Sequence, residues 1–138
     1  MFILRKQFNW EAAHFLPLVT EDHQCRRMHG HSYSAIIEVG SEDLEDGFVL
    51  DFSEINRYIK PTIKQLDHQL MNDFIENPSS ENICSFIAKK FLKEARTIDL
   101  PHDKRSLEDP LPRRIYLLAV EVSETPKTKC RLELKELL

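Results

Sequence analysis

Two histidines separated by a single glycine, His29-Gly30-His31, restrict the folding of this chain more than any other feature in it. Alternate residues of a β-strand project to the same face, so an extended segment presents the two imidazoles side by side. A third histidine closes an earlier apolar stretch, Phe8-Asn-Trp-Glu-Ala-Ala-His14. If a strand ending in His14 pairs beside the strand carrying His29 and His31, three imidazole nitrogens converge, and neutral imidazole is a common zinc ligand. Three protein ligands leave a fourth position for water or substrate, as catalytic zinc sites require. Cys25 lies four residues before His29 and is the alternative fourth ligand, one that would close the site into a structural one. Spacing alone leaves both arrangements open.

The remaining chemistry narrows the class. A length of 138 residues with 41% hydrophobic content suits one domain over 1–138 around one core. No continuous apolar run is long enough to span a bilayer, and the start Met1-Phe-Ile-Leu-Arg-Lys6 has its charges after the apolar residues, the reverse of a signal peptide. A cytoplasmic location and no membrane partner are expected. The three cysteines, Cys25, Cys84 and Cys130, are odd in number and unrelated in spacing, which argues against a disulfide framework and leaves room for one functional thiol. Cys84 and Cys130 read as packing residues. A net charge of −4 with interspersed signs argues against a general nucleic-acid surface.

Periodicity organises the chain. Residues 2 to 14 and 31 to 39 are rich in aromatic and β-branched side chains with partial alternation, predicting two strands joined by a loop over 15 to 30. After an acidic turn, Asp51-Phe-Ser-Glu54 resembles a capping box and should open a helix carrying Ile55, Tyr58, Ile59, Ile63 and Leu66 on one face, bent or divided at Pro61. Asn77-Pro-Ser-Ser-Glu81 signals a second helix, with Ile83, Phe86, Ile87, Phe91 and Ala95 facing one way. Residues 99 to 114, dense in proline and charge, read as an exposed connector, and residues 114 to 123 and 129 to 134 as a terminal hairpin around Pro126. Helices segregated from an antiparallel sheet make an α+β fold.

These residues, taken together, resemble the 6-pyruvoyltetrahydropterin synthase superfamily, most closely its queuosine-pathway branch, the 6-carboxy-5,6,7,8-tetrahydropterin synthases. The resemblance is carried by Glu11-Ala-Ala-His14, Cys25-x3-His29-Gly30-His31-x-Tyr33, Gly47-x3-Asp51-Phe52, Leu66-Asp67-His68, Asn77-Pro-Ser-Ser-Glu81-Asn82 and Val122-Ser-Glu124-Thr125. The three-residue gap between Cys25 and His29 is similar to the queuosine branch, the animal-type pyruvoyl enzymes having a longer one.

The resemblance implies a tunnelling fold: a four-stranded antiparallel sheet with two helices, closing as trimers into a barrel and stacking into a homohexamer with active sites between subunits. It implies one Zn2+ per subunit on His14, His29 and His31, and 7,8-dihydroneopterin triphosphate as substrate, converted to 6-carboxytetrahydropterin with release of acetaldehyde and triphosphate. By the same resemblance Cys25 is the base, Asp67 and His68 form an acid/base pair, and Glu124 anchors the pterin. Ser79, Ser80 and Glu81 match a substrate-binding region in which threonine is more usual at the position of Ser79. Arg26 and Arg27 are candidates for the triphosphate on charge alone. Read without the family, Glu81 simply favours a helix N-terminus and Asp51 simply caps one. Pyruvoyl synthase or aldolase-like activity and a non-catalytic zinc-stabilised module are the competing functions.

Overall fold

The computed structural model describes residues 1–97 and 114–138. The expected connector at 99 to 114 lies, apart from Arg114, outside the described residues. Strands β1 (Phe2–His14) and β2 (His29–Ser41) are followed by helix α1 (Phe52–Leu66), a short strand β3 (Gln69–Leu70), helix α2 (Ser80–Thr97), and strands β4 (Tyr116–Thr125) and β5 (Thr128–Leu137). The sheet order is β3-β1-β2-β4-β5. The β1/β2, β2/β4 and β4/β5 pairs are antiparallel. The expected four strands are present, and the sheet is corrected to five by β3, which runs parallel to β1 through Ala12↔Gln69 and Ala13↔Leu70. Two residues carry no readable periodicity. They pair because the His68 N–H donates to the Glu11 carbonyl at 2.6 Å and lays the chain along β1.

Alternation along β1 and β2 places the core. Trp10, Ala12 and His14 on β1 and Tyr33, Ala35, Ile37 and Val39 on β2 are all buried, and they line the sheet face covered by the helices. Burying an aliphatic side chain of that size is worth about 1.5–3 kcal/mol, which is why this face selects the register. Trp10 and Tyr33 stack at 5.1 Å with their rings nearly parallel. The opposite face is polar. There Glu38, only 6% exposed, accepts both Nη atoms of Arg131 at 2.8 and 2.6 Å and pairs with Arg5 at 2.8 Å. The three cysteines are unpaired, and Cys84, buried, donates from Sγ to the Cys130 carbonyl at 3.4 Å, in keeping with a packing role.

Both helices start where the sequence puts them. The Asp51 carboxylate accepts the Ser53 N–H at 2.7 Å, an N-cap bond to the second helical residue; Glu54 turns to Arg57 at 3.4 Å instead of reaching back, so the expected capping box is a simple N-cap. Pro61 does not divide α1, because it and Arg57, the residue whose carbonyl it leaves without an intrahelical donor, both face solvent. The buried side chains of α1 are Ile55, Tyr58, Ile59, Thr62 and Leu66; Ile63, expected among them, is half-buried. Tyr58 meets Phe91 of α2 edge to face at 5.7 Å.

One contact ties this scaffold to the end of β1. Asn72 accepts the Phe15 N–H at 3.0 Å and donates to the Phe15 carbonyl at 2.9 Å, extending the β1/β3 pairing through a side chain. Asn72→Ala should therefore cost about 1–3 kcal/mol in denaturant unfolding, since two part-buried backbone groups lose their partner. It should also weaken metal binding by the cluster that includes the neighbouring His14; unchanged affinity would separate this contact from the site.

Candidate metal centre

The antiparallel register pairs His14 directly with His29 and Ala12 with His31. Strand β2 thus begins at His29, two residues earlier than the periodicity shows, and the expected loop shortens to 15 to 28. Gly30 lies opposite Ala13, and a Cβ there would approach the Ala12 carbonyl to 3.3 Å. The glycine of His-Gly-His allows this close pairing. His14, His29 and His31 offer ligand atoms that lie within 4.8 Å of one another, and their rings meet edge to face with centroids 4.6 to 5.1 Å apart.

The hydrogen bonds around the cluster test whether it suits a cation. His14 Nδ1 faces the Pro78 carbonyl at 2.8 Å, and His29 Nδ1 faces the Arg27 carbonyl at 2.7 Å. A carbonyl oxygen only accepts, so both Nδ1 atoms carry the hydrogen, and in neutral rings both Nε2 atoms are bare lone pairs. Those two Nε2 atoms face each other at 3.0 Å. Two lone pairs at that separation repel unless a cation sits against them. The buried Nε2 of His31 has no hydrogen-bond partner. The Glu124 carboxylate stands 4.0 Å from both His14 Nε2 and His31 Nε2, beyond hydrogen-bond reach, and adds the negative charge that favours a cation. Two bare nitrogens and the unpartnered Nε2 of His31, converging beside a carboxylate, fit a borderline metal ion such as zinc.

Burial lowers the pKa of His14 below its ordinary value of 6.5, outweighing the Pro78 carbonyl and Glu124, which raise it. Burial also lowers that of His31, again against Glu124. Both rings are therefore neutral and ready to ligate at pH 7. Protons compete with metal for these nitrogens only below the lowered values, so the affinity present at neutral pH is lost as pH falls. Acid titration of the zinc-loaded protein with a chelating dye should show release below pH 6.5; release starting above it would contradict the burial argument.

The other expected residues distribute around this centre. Cys25 sits half-buried in a one-turn 3-10 helix, Gln24–Arg26, and is not in the metal cluster. Asp67 caps the end of α1; its Oδ1 accepts the Glu11 N–H at 3.0 Å and His68 Nδ1 at 3.0 Å. The Glu11 N–H first, and His68 second, hold the Asp67 carboxyl below its usual range. His68 adopts a positive φ of 57° and is exposed, and it lines a cavity of about 550 Å3 with Glu11, Gly30, His31 and Ser32. It is not in the metal cluster, although His31 lines the same cavity. The Ser79 hydroxyl accepts the Asn82 N–H at 3.3 Å, the bond of a helix cap, while Ser80 is half-buried and Glu81 exposed in the first turn of α2. Arg26 donates to two carbonyls of its own loop, and the side chain of Arg27 makes no hydrogen bond among the described residues. The sequence reading missed the carbonyls of Pro78 and Arg27, which orient two ligands; main-chain groups leave no residue-type signal.

Comparison with known proteins agrees with this geometry. A family model described as 6-pyruvoyl tetrahydropterin synthase matches residues 3–135. A protein of Synechocystis named 6-carboxy-5,6,7,8-tetrahydropterin synthase is 42% identical over 69% of this chain and 78% of its own length. A dihydroneopterin monophosphate aldolase of Pyrococcus furiosus is 29% identical over 62% of this chain and 70% of its own. The structure of Caenorhabditis elegans 6-pyruvoyl tetrahydropterin synthase superposes with a TM-score of 0.73 at 19% identity, covering 97% of this chain and 96% of that one, which establishes the tunnelling fold. No helix among the described residues is long and apolar enough to cross a membrane. The chain therefore belongs to the 6-pyruvoyl tetrahydropterin synthase family, on the side of its 6-carboxy-5,6,7,8-tetrahydropterin synthase members, and is an enzyme.

Proposed function

We propose that this chain is a zinc-dependent carbon-carbon lyase that converts 7,8-dihydroneopterin triphosphate to 6-carboxy-5,6,7,8-tetrahydropterin, releasing acetaldehyde and triphosphate, in queuosine biosynthesis. The observation that carries the reading is the cluster of His14, His29 and His31, with Glu124 4.0 Å from two of its nitrogens. His14, His29 and His31 would hold the ion, which when bound supplies Lewis acidity toward the oxygens of the substrate side chain.

The remaining work falls to the chain's own side chains. Glu124, 24% exposed, presents two carboxylate oxygens that can accept the adjacent amino and ring N–H donors of a pterin, and two parallel charge-assisted bonds fix the plane of the heterocycle. Cys25 is the base: a thiolate near a cation removes a proton from the carbon next to a polarised oxygen. His68 moves protons at Nε2, because Asp67 holds its Nδ1–H and keeps the outward nitrogen free. Ser80 and Glu81 flank the bound pterin from the start of α2, and Arg27 meets the triphosphate.

Subunit assembly completes the reading. Beyond Ala12 and Ala13, which β3 covers, the outer edge of β1 has no strand against it among the described residues, and β5 is the other edge. Closing such edges between copies removes exposed backbone donors and acceptors, and a homohexamer of two stacked barrels does so. The exposed His68, outside the metal cluster, then serves a substrate bound between subunits. We further infer a cytoplasmic location and a single domain over 1–138, which the family resemblance supports.

Purified zinc-loaded protein incubated with 7,8-dihydroneopterin triphosphate should yield 6-carboxytetrahydropterin and acetaldehyde by mass spectrometry. 6-Pyruvoyltetrahydropterin would move the chain to the sister activity, a lower-mass aldol cleavage product to the aldolase reading, and unchanged substrate to a non-catalytic zinc protein. Cys25→Ala should lower turnover about 100-fold or more while zinc stays bound. Zinc loss with lowered thermal stability would instead make Cys25 a structural ligand.

A further inference from the structure

The loop between β1 and β2 leaves from one metal-site histidine, His14, and returns at another, His29, with its two ends joined by the ladder. Inside it Cys25 is held through its main chain. The Leu16 N–H donates to the Cys25 carbonyl at 2.8 Å, and the Cys25 N–H donates to His23 Nδ1 at 3.1 Å. The next two N–H groups, of Arg26 and Arg27, close the turn on the His23 and Gln24 carbonyls at 3.0 and 3.2 Å. The outer arm of the loop, Pro17 to Asp22, lacks such support. Pro17 has no N–H to give, Leu18 is 79% exposed and anchors nothing, and His23 N–H to Thr20 carbonyl at 3.0 Å is the main-chain bond at its far end.

Arg26 supplies the missing support. Its Nη1 donates to the Pro17 carbonyl at 3.1 Å and the Val19 carbonyl at 2.8 Å, which uses both hydrogens of that nitrogen. The bidentate grip of a guanidinium on phosphate engages two nitrogens of one edge, and here only the Nε–Nη2 edge remains. Arg27, next in the chain, has its whole guanidinium available among the described residues. We propose that Arg26 is a positioning residue that braces the loop carrying Cys25, and that it is not the triphosphate ligand that its charge suggests. The proposal rests on the reading of Cys25 as the base.

Arg26→Met, Arg26→Lys and Arg27→Met, each prepared as the zinc-loaded full chain, test it by steady-state kinetics on 7,8-dihydroneopterin triphosphate. Peptide mass spectrometry of Cys25 alkylated by iodoacetamide across pH gives a readout independent of turnover. Arg26→Met should lower kcat about 10-fold or more with KM within about 2-fold, and should shift the pH profile of Cys25 alkylation. Arg26→Lys, which keeps a donor, should recover most of both, and Arg27→Met should raise KM. A raised KM in Arg26→Met with kcat and alkylation unchanged would overturn the proposal and make Arg26 a phosphate ligand. Normal turnover in Cys25→Ala would remove the base reading separately; alkylation then decides alone, and an unchanged profile in Arg26→Met overturns the brace.

Discussion

The ladder between β1 and β2 is the constraint on which the rest of this structure depends. Its register sets His14 against His29 and Ala12 against His31, so three imidazoles share one face only if all thirteen pairs from Phe2↔Ser41 to His14↔His29 hold. A slip of one residue would turn His14 to the opposite face and expose Trp10, Ala12 or their partners. The apolar pairs therefore set the geometry of the polar ones. Trp10 stacked on Tyr33 lies directly beneath the cluster, with Tyr33 edge-on to His14 and His31 at 5.8 and 5.4 Å. Such a pair contributes about 0.5–1.5 kcal/mol beyond its burial, and it makes the floor of the site part of the core.

Orientation of the ligands comes from the connections that the ladder brings near. The loop before His29 turns the Arg27 carbonyl onto its Nδ1, and the turn before α2 brings the Pro78 carbonyl onto His14. Each carbonyl fixes a tautomer, and each fixed tautomer leaves a lone pair pointing inward. The convergence is unfavourable without a cation and favourable with one. This is the electrostatic form of preorganisation: the repulsion is held in place by packing remote from the ligand atoms.

Much of this could be read from residue order alone, and the divisions are physical. Long alternating and helical patterns placed β1, β2, α1 and α2, because burial of one face leaves a periodic trace over a dozen residues. His14, His29 and His31 were readable because His-x-His has meaning only on a strand. Strand β3 was not, since two residues have no period and its pairing depends on a backbone bond from His68 to Glu11. The start of β2 was missed because glycine and histidine carry little strand preference, whereas the ladder extends to them through close approach at Gly30. Arg26 shows the opposite failure. Its charge points to an anion, and its conformation spends a nitrogen on two carbonyls, a choice no composition records.

Strand β1 also serves two assemblies through residues of opposite orientation. Its even residues, Trp10, Ala12 and His14, face the helices and the metal cluster. Glu11 between them is exposed, and its main chain receives Asp67 and His68 while its carboxylate accepts the Ser32 hydroxyl at 2.7 Å. The Asp67–His68 pair is held on the main chain of a strand residue whose side chain has the opposite orientation to the cluster's. The short period of a β-strand thus lets one segment contribute a histidine to a metal-binding cluster through a side chain and hold the Asp67–His68 pair through its main chain.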